Sequence, residues 1–203
     1  MRSGDGRAAR GLRARSKAGS LVFGGSLLFF LSLLTAELLY PGYSAADNYI
    51  SDLGVGPSPS DIIFNAAVFL FGLLEALAAV LLYRSEKERT FPLLLMVAAA
   101  GAMGVGIFPS NVQLFHSIAA LFAFGGGALA AVFSYRIVGR PVGNAGMVLG
   151  AISLVALALF ASGTHLGLGE GGMERMALYP FLFWMAGVGA MLMRDGDVTA
   201  PVR

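Results

Sequence analysis

The sequence predicts an all-α integral membrane protein, a six-transmembrane-helix bundle with both termini cytoplasmic. Three observations carry that prediction. First, 57% of the 203 residues are hydrophobic and 13% are charged, with a mean hydropathy of +0.75. A soluble domain carries about 25% charged residues, and a chain this short has no interior large enough to hide so much apolar surface. Second, six apolar runs each have about the 18 to 25 residues needed to cross roughly 30 Å of hydrocarbon as a helix. Third, the basic residues fall on alternate connections. Helices satisfy their own backbone groups in lipid, and no segment alternates as a barrel strand would.

The first span is expected at about 19–39. The segment before it, 1–18, is rich in Gly, Ala and Arg and holds six basic residues, Arg2 to Lys17. It is expected to be disordered, cytoplasmic and drawn to anionic headgroups. It lacks the aromatic or folded support that nucleic-acid binding needs, so no nucleic-acid partner is expected. Ser44-Ala45-Ala46 resembles a signal-peptide cleavage site, but the apolar run before it is too long for a signal h-region, so it is read as a span.

The second span, about 62–83, follows the longest connection. Asp61, Asn65 and Glu75 recur on one helical face of it, as a candidate intramembrane polar stripe. An ionisable group as deep as Glu75 is costly in lipid and is expected to face the bundle interior. The third span, about 91–108, offers Ala98, Ala102 and Gly106 for close packing. The fourth, about 114–138, carries Gly125-Gly126-Gly127 and opens near His116. The fifth, about 143–163, offers Gly146 and Gly150. The sixth, about 176–193, is followed by a short cytoplasmic tail, 194–203. These glycines are packing signals: no strand or phosphate-facing helix start accompanies them, and no cofactor is expected.

Orientation follows from charge. Thirteen of the fourteen basic residues precede the first span, follow the last, or lie in the second-to-third and fourth-to-fifth connections. Only Arg175 falls on the other side. The positive-inside rule then places both termini in the cytoplasm, and the expected location is the plasma membrane.

All three extracytoplasmic connections bring polar residues to one face. They define a candidate site of Glu37, Tyr43, Ser51, Asp52, His116, Glu174, Arg175 and Tyr179. Arg175 and Tyr179, four residues apart, share a helical face, and Asp52 is the expected partner of Arg175. Adjacent helical residues point apart, so Glu174 is not that partner. The chain has no cysteine, which excludes disulfides, thiolate zinc sites and thiol nucleophiles. Its two histidines, His116 and His165, lack HxxxH or HxxE spacing, and no metal is expected. Ser51 or Ser117 with His116 and Asp52 could form a triad on paper, but no nucleophile-elbow motif supports one.

The pieces "YPGYS" and "ISDLG" after the first span, "GIFP" then "HSIAALFAF" across the third and fourth, and "ERMALYPFLFW" opening the sixth occur in order along the chain. This pattern resembles the six-span membrane proteins of DUF family 998, whose function is unknown. A fainter likeness to the DRAM and Sfk families rests on "YISDLGVGPSPSDIIFN" and "GIFPSNVQLFHSIAALFAF". That likeness implies lipid handling, and that Ser51, Asp52, Pro109 and His116 match the pattern. Three functions are weighed. The leading one is binding or handling of a lipid or lipid-like ligand at the extracytoplasmic polar site. A membrane-embedded enzyme using Asp52, His116 or Glu174 is the alternative. A small proton-coupled transporter using Asn65 and Glu75 is the third.

Overall fold

A computed structural model describes residues 2–197, with side chains described from Arg10 to Arg194. Six long helices form the bundle: α1 (Arg2–Leu39), α2 (Ser60–Ser85), α3 (Thr90–Ile107), α4 (Gln113–Phe133), α6 (Gly143–Ala161) and α7 (Gly169–Asp197). A one-turn helix, α5 (Tyr135–Val138), extends α4, and a 3₁₀ helix (Ile50–Val55) lies in the first long connection. All six long helices have the length and hydropathy of membrane spans, and the chain is an integral, multi-pass membrane protein.

Neighbours in sequence pack together from α1 to α4, α4 packs on α6, α6 on α7, and α7 closes the ring on α1. The connections 40–59, 108–112 and 162–168 meet at one end, called here the loop end. There Gly171 N–H donates to the Ala46 carbonyl and Ser110 Oγ to the Ser51 carbonyl. At the opposite, terminal end Arg15 binds Glu86 at 2.7 Å and the Ile137 carbonyl at 2.8 Å. Glu88 there caps α3, accepting from Thr90 N–H and Phe91 N–H.

Small residues set the spacing of the helices, since lipid provides little hydrophobic drive between them. A Cβ at Gly126 would meet Ala98 N at 2.8 Å, and one at Gly150 would meet Ala128 O at 2.5 Å. Gly146 makes room for Trp184, whose Nε1–H donates to Ser134 Oγ at 2.8 Å inside the bundle. Gly125, by contrast, faces open space.

Three boundaries depart markedly from the sequence reading. The helix α1 begins at Arg2, so the basic stretch expected to be disordered is helical. Its Ala and Arg residues are among the better helix formers, and the span they precede supplies a nucleus already formed. The helix α7 begins at Gly169, seven residues before the expected start at 176. The sequence "GEGG" reads as a turn, but the Ala46 carbonyl accepts from both Gly171 N–H and Gly172 N–H. A tertiary contact thereby satisfies donors that open the helix, and propensity is overridden. At the other end α7 reaches Asp197, into the expected tail; 198–203, with Arg203, lies outside the described residues.

Candidate functional site

The first long connection is organised by its own short polar side chains. Ser44 Oγ donates to Asp47 Oδ2 at 2.6 Å, and Ser44 N–H donates to Asn48 Oδ1 at 3.0 Å. Asp52 Oδ2 accepts from Tyr49 N–H at 2.9 Å, which fixes the first turn of the 3₁₀ helix in the manner of an N-terminal cap. Farther on, Ser58 Oγ donates to Asp61 Oδ1, and Asn65 Nδ2 donates to the Gly54 carbonyl at 2.8 Å. These side chains hold the loop over the bundle.

Arg175 is the anchor beneath that loop. It is 8% exposed. Its Nη1 donates to the carbonyls of Ala45 (2.8 Å), Asn48 (3.3 Å) and Gly171 (3.0 Å). Its Nη2 donates to Glu37 Oε1 at 2.5 Å and to Tyr43 Oη at 2.8 Å. The Tyr43 hydroxyl in turn donates to the Tyr49 carbonyl at 2.9 Å. The partner of Arg175 is therefore Glu37 and not Asp52. The physical reason is that α7 packs on α1, which brings the last turn of α1 to the guanidinium, while Asp52 is already committed to the loop backbone. With both η nitrogens engaged by protein acceptors, the guanidinium is a fixed structural pair rather than a free anion site.

Burial raises the Tyr43 phenol to about 12, outweighing the opposing donation and charge of Arg175. Tyr49 also rises to about 12, chiefly because the neighbouring Glu170 carboxylate favours the protonated phenol. Because the folded phenols hold their protons above the ordinary value near 10, stability is complete below that pH. It is lost as pH rises through the folded values. Unfolding measured across this alkaline window should show a loss of stability in the wild type that is smaller in Tyr43→Phe.

Next to this anchor lies an internal cavity of about 70 Å³ between α1, α2, α3, α4 and α7. Most of its wall is apolar, with Phe29, Phe64, Leu95, Phe124 and Leu178 among the residues that line it. Set into that wall are Ser51 and three buried titratable side chains, Glu75, His116 and Glu174. Glu174 is 5% exposed and its Oε2 accepts from Ile50 N–H at 2.5 Å. His116 is 9% exposed, and its Nδ1 lies 2.8 Å from the Phe108 carbonyl. A carbonyl only accepts, so Nδ1 carries the proton, and in the neutral ring Nε2 is left as an acceptor. Glu75 is 2% exposed, and neither of its carboxyl oxygens has a hydrogen-bond partner. It stands fifteen residues after Ser60, the start of α2, about 22 Å along the helix at 1.5 Å per residue.

The expected site thus divides in two. Glu37, Tyr43 and Arg175 form the anchor, and Tyr179 packs its ring against Phe30 at 6.0 Å. Ser51, His116 and Glu174 face the cavity instead, and Glu75 joins them there. The expected stripe is broken, because Asp61 and Asn65 serve the loop and do not line the cavity. The paper triad is not assembled either: His116 Nδ1 meets a backbone carbonyl rather than Asp52, and Ser117 is exposed. The join between Glu75 and the loop-end residues was missed in sequence, since the signal was only that Glu75 and His116 each interrupt an apolar run.

A family model described as "Protein of unknown function (DUF998)" matches residues 23–191. No curated protein and no solved structure matches. The chain belongs to the DUF998 family.

Proposed function

We propose that this DUF998 member binds a lipid or lipid-like amphiphile, one end of which occupies the cavity between α1, α2, α3, α4 and α7. The observation that carries this reading is the cavity itself: an apolar chamber with Glu75, His116 and Glu174 buried in its wall. A concave apolar site with a few convergent polar groups is the arrangement that binding sites take. Glu174 and His116 also hold backbone groups of the loop end, but structural packing alone gives no return for Glu75, held away from water without a partner. A molecule that reaches a chamber inside a membrane bundle by way of the bilayer must itself be largely apolar. The basic residues favour a cell-membrane protein with both termini in the cytoplasm, so that the loop end is extracytoplasmic. Exposed Arg10, Arg13 and Lys17 near the start of α1 then serve as contacts for anionic headgroups.

The test is mass spectrometry of small amphiphiles and lipids extracted from the purified protein. Ala120 lines the cavity, and Ala120→Phe fills it, with Ala102→Leu as a milder second variant. The wild type should retain an amphiphile in near-stoichiometric amount that both filled variants lack. Identical extracts from all three proteins would remove the proposal.

A further inference from the structure

Among the described residues, Glu75 is the carboxylate whose two oxygens are both buried and unpartnered, and it faces the internal cavity. We propose that this cavity takes the ammonium group of an amine-headed ligand, with Glu75 as its counter-ion. The inference rests on the ligand-binding reading above and names the chemical class of the ligand.

The charges around the cavity set the sign. On α2 the facing titratable group is Glu75, on α4 it is His116, and on α7 it is Glu174. From α1 the lining is Phe29, and from α3 it is Leu95, Ala98, Ala99, Ala102 and Val105, none of which titrates. Among the described residues, no lysine or arginine lines the cavity. The nearest cation in sequence, Arg175, spends its η nitrogens on Glu37, Tyr43 and three carbonyls. His116, with Nδ1 donating to the Phe108 carbonyl, offers a second acceptor in its neutral form. Among the described residues, the chamber therefore offers acceptors in an apolar wall and no cation.

A buried carboxylate without a partner is strongly unfavourable, and a protonated one leaves its O–H unshared. A bound ammonium group supplies both the compensating charge and up to three N–H donors, and charge-assisted hydrogen bonds are the strong ones. A fatty acid or phosphate end group would instead bring a second negative charge beside two carboxyls, which is disfavoured. An alcohol could share one hydrogen bond but would not neutralise the carboxylate.

The experiment measures thermal unfolding of the full chain in detergent with butylamine, butanol or butyrate at equal concentration. These probes share one alkyl group and differ in their heads. The expected result is a rise in the unfolding midpoint with butylamine alone, lost in Glu75→Gln and in Ala120→Phe. A second measurement needs no variant. Dicyclohexylcarbodiimide labelling of Glu75 in the wild type, read by mass spectrometry, should slow about tenfold when butylamine is present at ten times its Kd. A midpoint rise shared by all three probes and lost in Ala120→Phe would sink the amine inference while leaving the ligand cavity in place. No response to butylamine, with labelling unprotected, overturns the inference outright. If, in addition, wild-type and filled variants yield the same lipid extract, the binding reading falls with it.

Discussion

Arg175→Met should destabilise the folded protein by about 3–5 kcal/mol, because it strands a partly buried carboxylate that was paired. The Glu37–Arg175 pair lies at the junction of α1, α7 and the first long connection. The two side chains are only 17% and 10% exposed, so solvent cannot replace the lost partner. The same substitution removes the donors held by the Ala45 and Asn48 carbonyls. Loss of loop order and loss of the ion pair are thus one event. Glu37→Gln should also destabilise, leaving the cation with a weaker neutral acceptor. The double variant Glu37→Gln/Arg175→Met should cost less than the two single effects added, since no unpaired charge is left. Chemical or thermal unfolding in one detergent checks all three. Additive losses would show that the pair does not couple.

The second large effect is steric. Gly171→Ala should lower stability by about 1–3 kcal/mol, the cost of overpacking a close contact. A Cβ there would strike the Asn48 carbonyl oxygen and meet Ala45 O at 2.7 Å. Arg175 Nη1 reaches both of those oxygens, so the substitution pushes the loop away from its own anchor. Limited proteolysis within 40–59 should accelerate alongside the fall in unfolding midpoint. Gly172→Ala is the control. Its Cβ would meet only Leu168 Cβ, at 3.1 Å, and Ala is the better helix former by about 1 kcal/mol. Its stability should therefore stay within about 1 kcal/mol of the wild type. Equal losses at both positions would mean that the loop contact is not the cause.

The residues differ in how readily they could be read. Glu75 was readable as an inward-facing group because lipid penalises charge at that depth regardless of the partner. The partner of Arg175 was not readable. Asp52 and Glu37 were both nearby carboxylates on the same face, and the choice depended on α7 lying against α1, some 140 residues away. The early start of α7 was hidden for a related reason. The glycines of 169–172 argue for a turn until the Ala46 carbonyl is placed over their N–H groups.

By itself, the sequence determined the class of the protein, six spans and their approximate places, and the family it resembles. These follow from local properties, namely the length and hydropathy of each run and the residue types in short stretches. Only the tertiary structure decided which carboxylate holds Arg175, and that Glu75, His116 and Glu174 share one chamber. Ring closure between the first and last helices sets those neighbours, and no periodicity within a single helix encodes it.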